Sequence, residues 1–100
     1  MNLPPELRSV FFSMLAERIV GMRAALANGD RVVLRQLVHQ VAGTGASFGF
    51  DMLTEEGRRL EANLVEGVAT SGALSDFIAL CDTVVASAAQ SAVPAANHHD

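Results

Sequence analysis

In this chain of one hundred residues, side-chain types and spacing suggest chemistry in one stretch, His39-Gln40-Val41-Ala42-Gly43-Thr44-Gly45-Ala46-Ser47-Phe48-Gly49. A histidine is followed by a glycine four residues on and another ten on, inside an apolar pattern of helical period. Leu34, Leu37, Val38, Val41, Gly45 and Phe48 recur at intervals of three and four and so define a buried face. At ~100° per residue, His39 points about 140° away from Leu34, well off that face. Its neighbours on the helix surface are Val32, Arg35, Gln36, Ala42, Gly43 and Ala46, so the imidazole stands over mostly small residues. Gly43 costs roughly 1 kcal/mol of helix propensity relative to Ala, which suggests a packing or access reason for its place. A neutral imidazole is nucleophilic near pH 7. The pattern reads as an exposed nucleophile that something large can approach, with an ordinary surface histidine as the plain alternative.

Other site chemistries fit less well. Di-metal bundles place a Glu three residues before a His, but Gln36, Ala95 and Ala96 precede His39, His98 and His99 at that spacing, so no metal is expected. Cys81 falls on an apolar stripe, where a buried structural thiol is the better reading. No nucleophile elbow and no phosphate-cradling glycine loop occurs in the chain.

The elements that must position His39 are helices. Pro4-Pro5 opens the first, with Leu7, Phe11, Met14, Leu15, Ile19, Met22 and Leu26 as its stripe. Arg18 falls within that arc: either its stem packs while its head reaches solvent, or the stripe drifts near Gly21. Gly29 suits a left-handed helix end and Asp30 the next N-cap. The second helix is expected from about Asp30 to about Ser47, closing at Gly49, with Asp51 capping the third. Leu53, Gly57, Leu60 and Leu64 form the third inward stripe, with Glu61 at its edge and Arg58 one turn earlier on the same flank. After Glu66-Gly67 and a Thr70-Ser71-Gly72 turn, a fourth helix turns Leu74, Phe77, Ile78, Cys81, Val85 and Ala88 inward. These four stripes imply an all-α, antiparallel four-helix bundle. Residues 1–92 form the domain, and 93–100 read as a short disordered tail.

Composition narrows the partners. The net charge is −4, there is no Lys, and seven Arg are scattered among eleven acids, which argues against nucleic acid. A lone cysteine can form no disulfide within the chain and fits a cytoplasmic location. No signal-peptide pattern opens the sequence, and no uninterrupted apolar run approaches the ~18 residues of a membrane span. Met1 and the compact length favour a free-standing protein. With no apolar face beyond the four stripes, a monomer is the default expectation.

The set His39, Val41, Gly43, Thr44, Gly45, Gly49, Leu53, Leu60 and Glu61 resembles the signature of histidine phosphotransfer (HPt) domains, the intermediate carriers of multistep phosphorelays. The resemblance covers nearly the whole chain and implies a carrier rather than an enzyme. His39 would accept a phosphoryl group from a receiver-domain phospho-aspartate and pass it to another receiver. Response-regulator receivers or a hybrid histidine kinase would be the partners. The receiver would bring the Mg²⁺, so the chain needs no cofactor of its own. Glu61 would hydrogen-bond the Nδ1–H of His39 and leave Nε2 free; its plain alternative is a solvated helix acid. Gly43 would give the receiver access.

One position departs from the family pattern. Ala42 stands where relatives usually carry a Lys that helps neutralise the phosphoryl group. Its loss should leave phospho-His39 less stabilised, and Ala42→Lys is expected to slow loss of the group. Arg35 could substitute with its planar, multi-donor guanidinium, and Arg58 is a second candidate. The same departure keeps open a different function, an HPt-like binding module that docks and regulates a receiver or kinase without being phosphorylated.

Overall fold

A computed structural model describes the backbone of residues 4–92 and the side chains of residues 4–88. Four helices follow in order: α1 (Pro5–Asn28), α2 (Arg31–Gly45), α3 (Asp51–Glu66) and α4 (Ser71–Ala92), with a 3₁₀ turn over Ala46–Phe48 between α2 and α3. The expected tail at 93–100, with His98 and His99, lies outside the described residues. Each helix packs on its chain neighbours, and α1 also packs on α4, which closes the bundle. Contacts between Gly45 and Leu53, Ala42 and Gly57, and His39 and Glu61 run in opposite chain directions, so α2 and α3 are antiparallel.

The buried stripes follow from apolar spacing. Phe11, Leu15, Ile19 and Met22 of α1 meet Leu34, Val38 and Val41 of α2, Leu53, Leu60 and Leu64 of α3, and Leu74, Phe77, Ile78 and Cys81 of α4. Burying each Leu, Ile or Phe of this set contributes roughly 1.5–3 kcal/mol. Two expectations shift, at Leu7 and Val85, and one open alternative, at Arg18, is resolved. Leu7 is exposed, because α1 is covered only from Phe11 onward, where Phe48 and Phe50 stack on that ring. Arg18 is half-buried beside Phe11, Met14, Leu15, Val41 and Thr44 while Ile19 and Met22 keep the register, so its stem packs and the stripe does not drift. Val84 joins the core where Val85 was expected to, and Val85 is only half-buried.

The helix ends explain the connections. Gly29 closes α1 at φ 69°, its N–H bonded to Leu26, and Asp30 caps α2 by accepting the Val33 N–H at 3.1 Å. Thr70 caps α4 through the Ala73 N–H. Asp51 does not cap α3: Phe50 holds the N-cap position because its ring is drawn against Phe11 and Phe12, which leaves Asp51 in the first helical turn. There its charge still complements the helix dipole. The α-helical part of α2 stops at Gly45, earlier than spacing implies. The Thr54 hydroxyl accepts the Ala46 N–H at 2.8 Å and donates to the Ala42 carbonyl at 2.7 Å. It thus stands between two groups that an uninterrupted helix would pair directly.

Over Ser71–Ala88, α4 has the length and the mean hydropathy, 1.2, of a membrane-crossing segment. Asp76 and Asp82 interrupt it, and its stripe from Leu74 to Val84 is buried in the bundle. An ion pair joins Asp82 to Arg23 of α1.

Cys81 is fully buried on that stripe, and burial, helped by the Asp82 carboxylate, pushes its thiol from 9.0 up to about 12. The unfolded chain ionises this thiol near its ordinary value whereas the folded one does not, so stability is full below pH 9 and is lost as pH rises toward 12. The expected slope is about 1.4 kcal/mol per pH unit. With no Lys and no Tyr in the chain, no other side chain titrates in that window. Urea unfolding between pH 8 and 11 should show the decline in the native chain and a flat profile in Cys81→Ala; equal slopes would rule the thiol out as its cause.

Candidate functional site

The buried residues Leu34, Val38, Val41 and Ala42 fix the rotation of α2, and that rotation turns His39 outward with its side chain 62% exposed. From α3, Glu61 reaches the same place at 21% exposure. The His39 Nδ1 lies 2.8 Å from Glu61 Oε2, so the ring donates its Nδ1–H to the carboxylate. In that tautomer Nε2 keeps its lone pair and has no hydrogen-bond partner among the described residues. Glu61 is carried at this level by Leu60 and Leu64, whose burial holds α3 against the core.

Gly43 is exposed, and a Cβ built on it would meet nothing within 4 Å. It is therefore not a helix-packing contact, and the surface one turn after His39 is open. Gly43→Ala should raise stability by about 0.5–1 kcal/mol through helix propensity alone. Urea denaturation followed by circular dichroism checks this; a loss of stability would mean that Gly43 holds a strained or crowded position.

Ala42 corrects the reading of this stretch. It is only 1% exposed and faces α3, not the open ground around the imidazole. A Cβ at Gly57 would stand 2.8 Å from the Ala42 Cβ and 3.3 Å from the Phe77 ring, so α2 and α3 approach here through two small residues. The stem of a Lys at position 42 would start inside this filled helix interface, which stands against the stabilising effect expected of Ala42→Lys.

Arg35 is exposed one turn before His39 and lines a shallow groove between α2 and α3 with Arg31, Val32, Gln36, Leu64 and Val65. Arg31 is engaged with the Ala69 carbonyl at 3.0 Å, whereas Arg35 has no hydrogen-bond or ion-pair partner among the described residues. Arg58 is exposed on α3, likewise without such a partner among those residues, and does not line the groove. Among the described residues, no group of three or more His, Cys, Asp and Glu gathers as metal ligands would.

An exposed histidine on the second helix of a bundle, hydrogen-bonded to a carboxylate from the third, is the arrangement that the family resemblance implied. Over residues 6–95 the chain matches the family model described as Hpt domain. It belongs to the Hpt-domain family. No curated protein and no solved structure matches it. As an Hpt domain it has a histidine phosphotransfer role in phosphorelay, and Hpt domains are phosphocarrier modules. Hpt domains interact with receiver domains and histidine kinases.

Two residues that shape the site in this Hpt domain had no chemical reading in the sequence. Thr54 ends the α-helical part of α2 six residues after His39, and Gly57 admits Ala42. Gly57 sits in a stripe of three leucines, and that lapse in bulk was the available signal. Thr54 carried none, because its partners are backbone atoms of another helix.

Proposed function

We propose that His39 is the phosphoacceptor of a phosphorelay carrier, taking the group from the phospho-aspartate of one receiver domain and passing it to another. The observation that carries this reading is the 62% exposed imidazole whose Nδ1–H is held by Glu61, so that Nε2 faces outward with its lone pair. Nε2 attacks phosphorus, the P–O bond of the acyl phosphate breaks, and its electron pair leaves with the aspartate carboxylate. No proton has to be removed from Nε2. The ring becomes a phospho-imidazolium, and the Glu61 carboxylate offsets its positive charge through the same hydrogen bond. On the return step a receiver carboxylate attacks phosphorus and Nε2 leaves with its electrons.

The chain presents and orients the imidazole; Mg²⁺ and the acidic residues that hold it belong to the partner receiver. Arg35, exposed one turn from His39, supplies a guanidinium for the phosphoryl oxygens, with Arg58 as the second candidate. The docking face is the ground around His39: open at Gly43 and Ala46 on one side, and on the other bearing Val32 and Val65, 69% and 62% exposed. An interface of about 800 Å² per partner would cover it.

The test is to mix the protein with receivers charged on their aspartate and follow the label. Acid-labile, alkali-stable label on the chain is the expected result. Stable receiver binding with no label on the chain would instead select a docking module that carries no phosphoryl group.

A further inference from the structure

The helix pair that carries His39 and Glu61 approaches closely one turn away from them, at Ala42 and Gly57. Ala42 is three residues after His39, and Gly57 is four before Glu61, so each lies beneath one member of the hydrogen-bonded pair on its own helix. The seam continues to Gly45, where a Cβ would meet the Leu53 Cβ at 2.8 Å, the Phe50 carbonyl at 3.1 Å and the Thr54 hydroxyl at 3.1 Å. In the other direction α2 and α3 open into the groove lined by Arg35, Gln36, Leu64 and Val65. His39 and Glu61 therefore sit where a close-packed seam opens out. They are far enough from its centre for the imidazole to be exposed, and near enough for the short Glu side chain to reach across.

We infer that Ala42 and Gly57 are positioning residues, whose combined small size sets the separation of α2 and α3 and thereby the His39–Glu61 hydrogen bond. This rests on the reading of His39 as phosphoacceptor and of Glu61 as the group that orients it. A methyl group at position 57 cannot be taken up by a flexible side-chain end, because what it meets is the Cβ of Ala42 at 2.8 Å and its Cα at 3.4 Å. The helices must separate or slide, and the 2.8 Å contact between Nδ1 and Oε2 leaves the 2.7–3.2 Å range of such bonds. The Ala at 42 is thus a positional requirement of this chain, matched by the glycine opposite.

The test uses the full chain with Gly57→Ala, Ala42→Gly, and the swapped double variant Ala42→Gly/Gly57→Ala, which returns one methyl group to the seam from the other side. Nitrogen-15 NMR of the His39 ring reads which nitrogen carries the proton, without any phosphoryl transfer. Phosphoryl uptake from a charged receiver is measured in parallel. Gly57→Ala is expected to lose the Nδ1–H signature and to slow uptake by up to about tenfold, the loss expected from removing the Glu61 carboxylate itself. The double variant is expected to recover both, which a merely structural lesion would not do. A wild-type tautomer in Gly57→Ala overturns the inference, and so does a folded double variant that recovers neither property. A tautomer that shifts and recovers while uptake stays constant supports the positioning and overturns instead the role given to Glu61. If Gly57→Ala does not fold, a double variant that folds with the wild-type tautomer supports the inference, and one that also fails overturns it.

Discussion

His39→Gln is expected to fold as the native chain does and to take up no phosphoryl group from a charged receiver. The side chain is 62% exposed and, among the described residues, its hydrogen bond is to the partly exposed Glu61 carboxylate, so its replacement should move stability by no more than about 0.5 kcal/mol. Glutamine keeps a similar length and can still donate to Glu61, but its amide offers no basic nitrogen to attack phosphorus. Chemistry is removed while docking is left in place. Receiver binding should therefore survive, and the label should fall to background. Glu61→Ala separates orientation from nucleophilicity: uptake should continue about tenfold more slowly, because the ring loses its fixed tautomer and the carboxylate that offsets its charge after transfer. Glu61→Gln should fall between, since an amide oxygen still accepts the Nδ1–H without carrying charge. Rapid quenching after mixing with a charged receiver measures all three. Label on His39→Gln would move the phosphoacceptor elsewhere, and a Glu61→Ala chain as fast as native would reduce Glu61 to a solvated acid.

Ala42→Lys is expected to destabilise the fold by about 2 kcal/mol or more, in line with overpacking of a filled interface. For a domain of this size that is a fall in melting temperature of roughly 10 °C. The methyl group of Ala42 is 1% exposed and already faces the bare backbone of Gly57. A four-carbon stem has no free path there, and an ammonium drawn into the interface adds a desolvation penalty. The lifetime of phospho-His39 should shorten, because the helices must part next to the residue that orients the imidazole. This reverses what the family pattern suggests for a cation at that position. Thermal melting and the decay of label from the isolated phosphoprotein check both halves. An unchanged melting temperature with a longer-lived label would show that the lysine stem escapes to the surface and acts as it does in relatives. Arg35, already exposed beside His39, is the cation that this chain has available without such rearrangement.

The repeat of apolar residues at three and four determined the helices, because a helix that must bury one stripe leaves that mark whatever surrounds it. Leu53, Gly57, Leu60 and Leu64 are all buried on α3, and Leu34, Val38, Val41 and Gly45 on α2. The same count turned His39 away from the core, and the spacing from His39 to Glu61 carried the family resemblance. Glycines closed α1 and the α2–α3 connection where helix ends were expected, at Gly29 and Gly49, both with left-handed backbone. Those features are local, so they are legible in one dimension.

What the tertiary structure alone decided is how close two helices come. The helical count places Ala42 among the small surface neighbours of His39, and the family pattern marks it as the place of an absent cation. Its burial depends on Gly57, fifteen residues away, having no side chain to hold α3 off. The end of the α-helical part of α2 depends in the same way on the hydroxyl of Thr54. The sequence by itself determined which residue faces outward to react. The distance at which its carboxylate partner stands was decided by packing between residues remote in the chain, since steric contact across a helix pair has no period that one strand of letters can record.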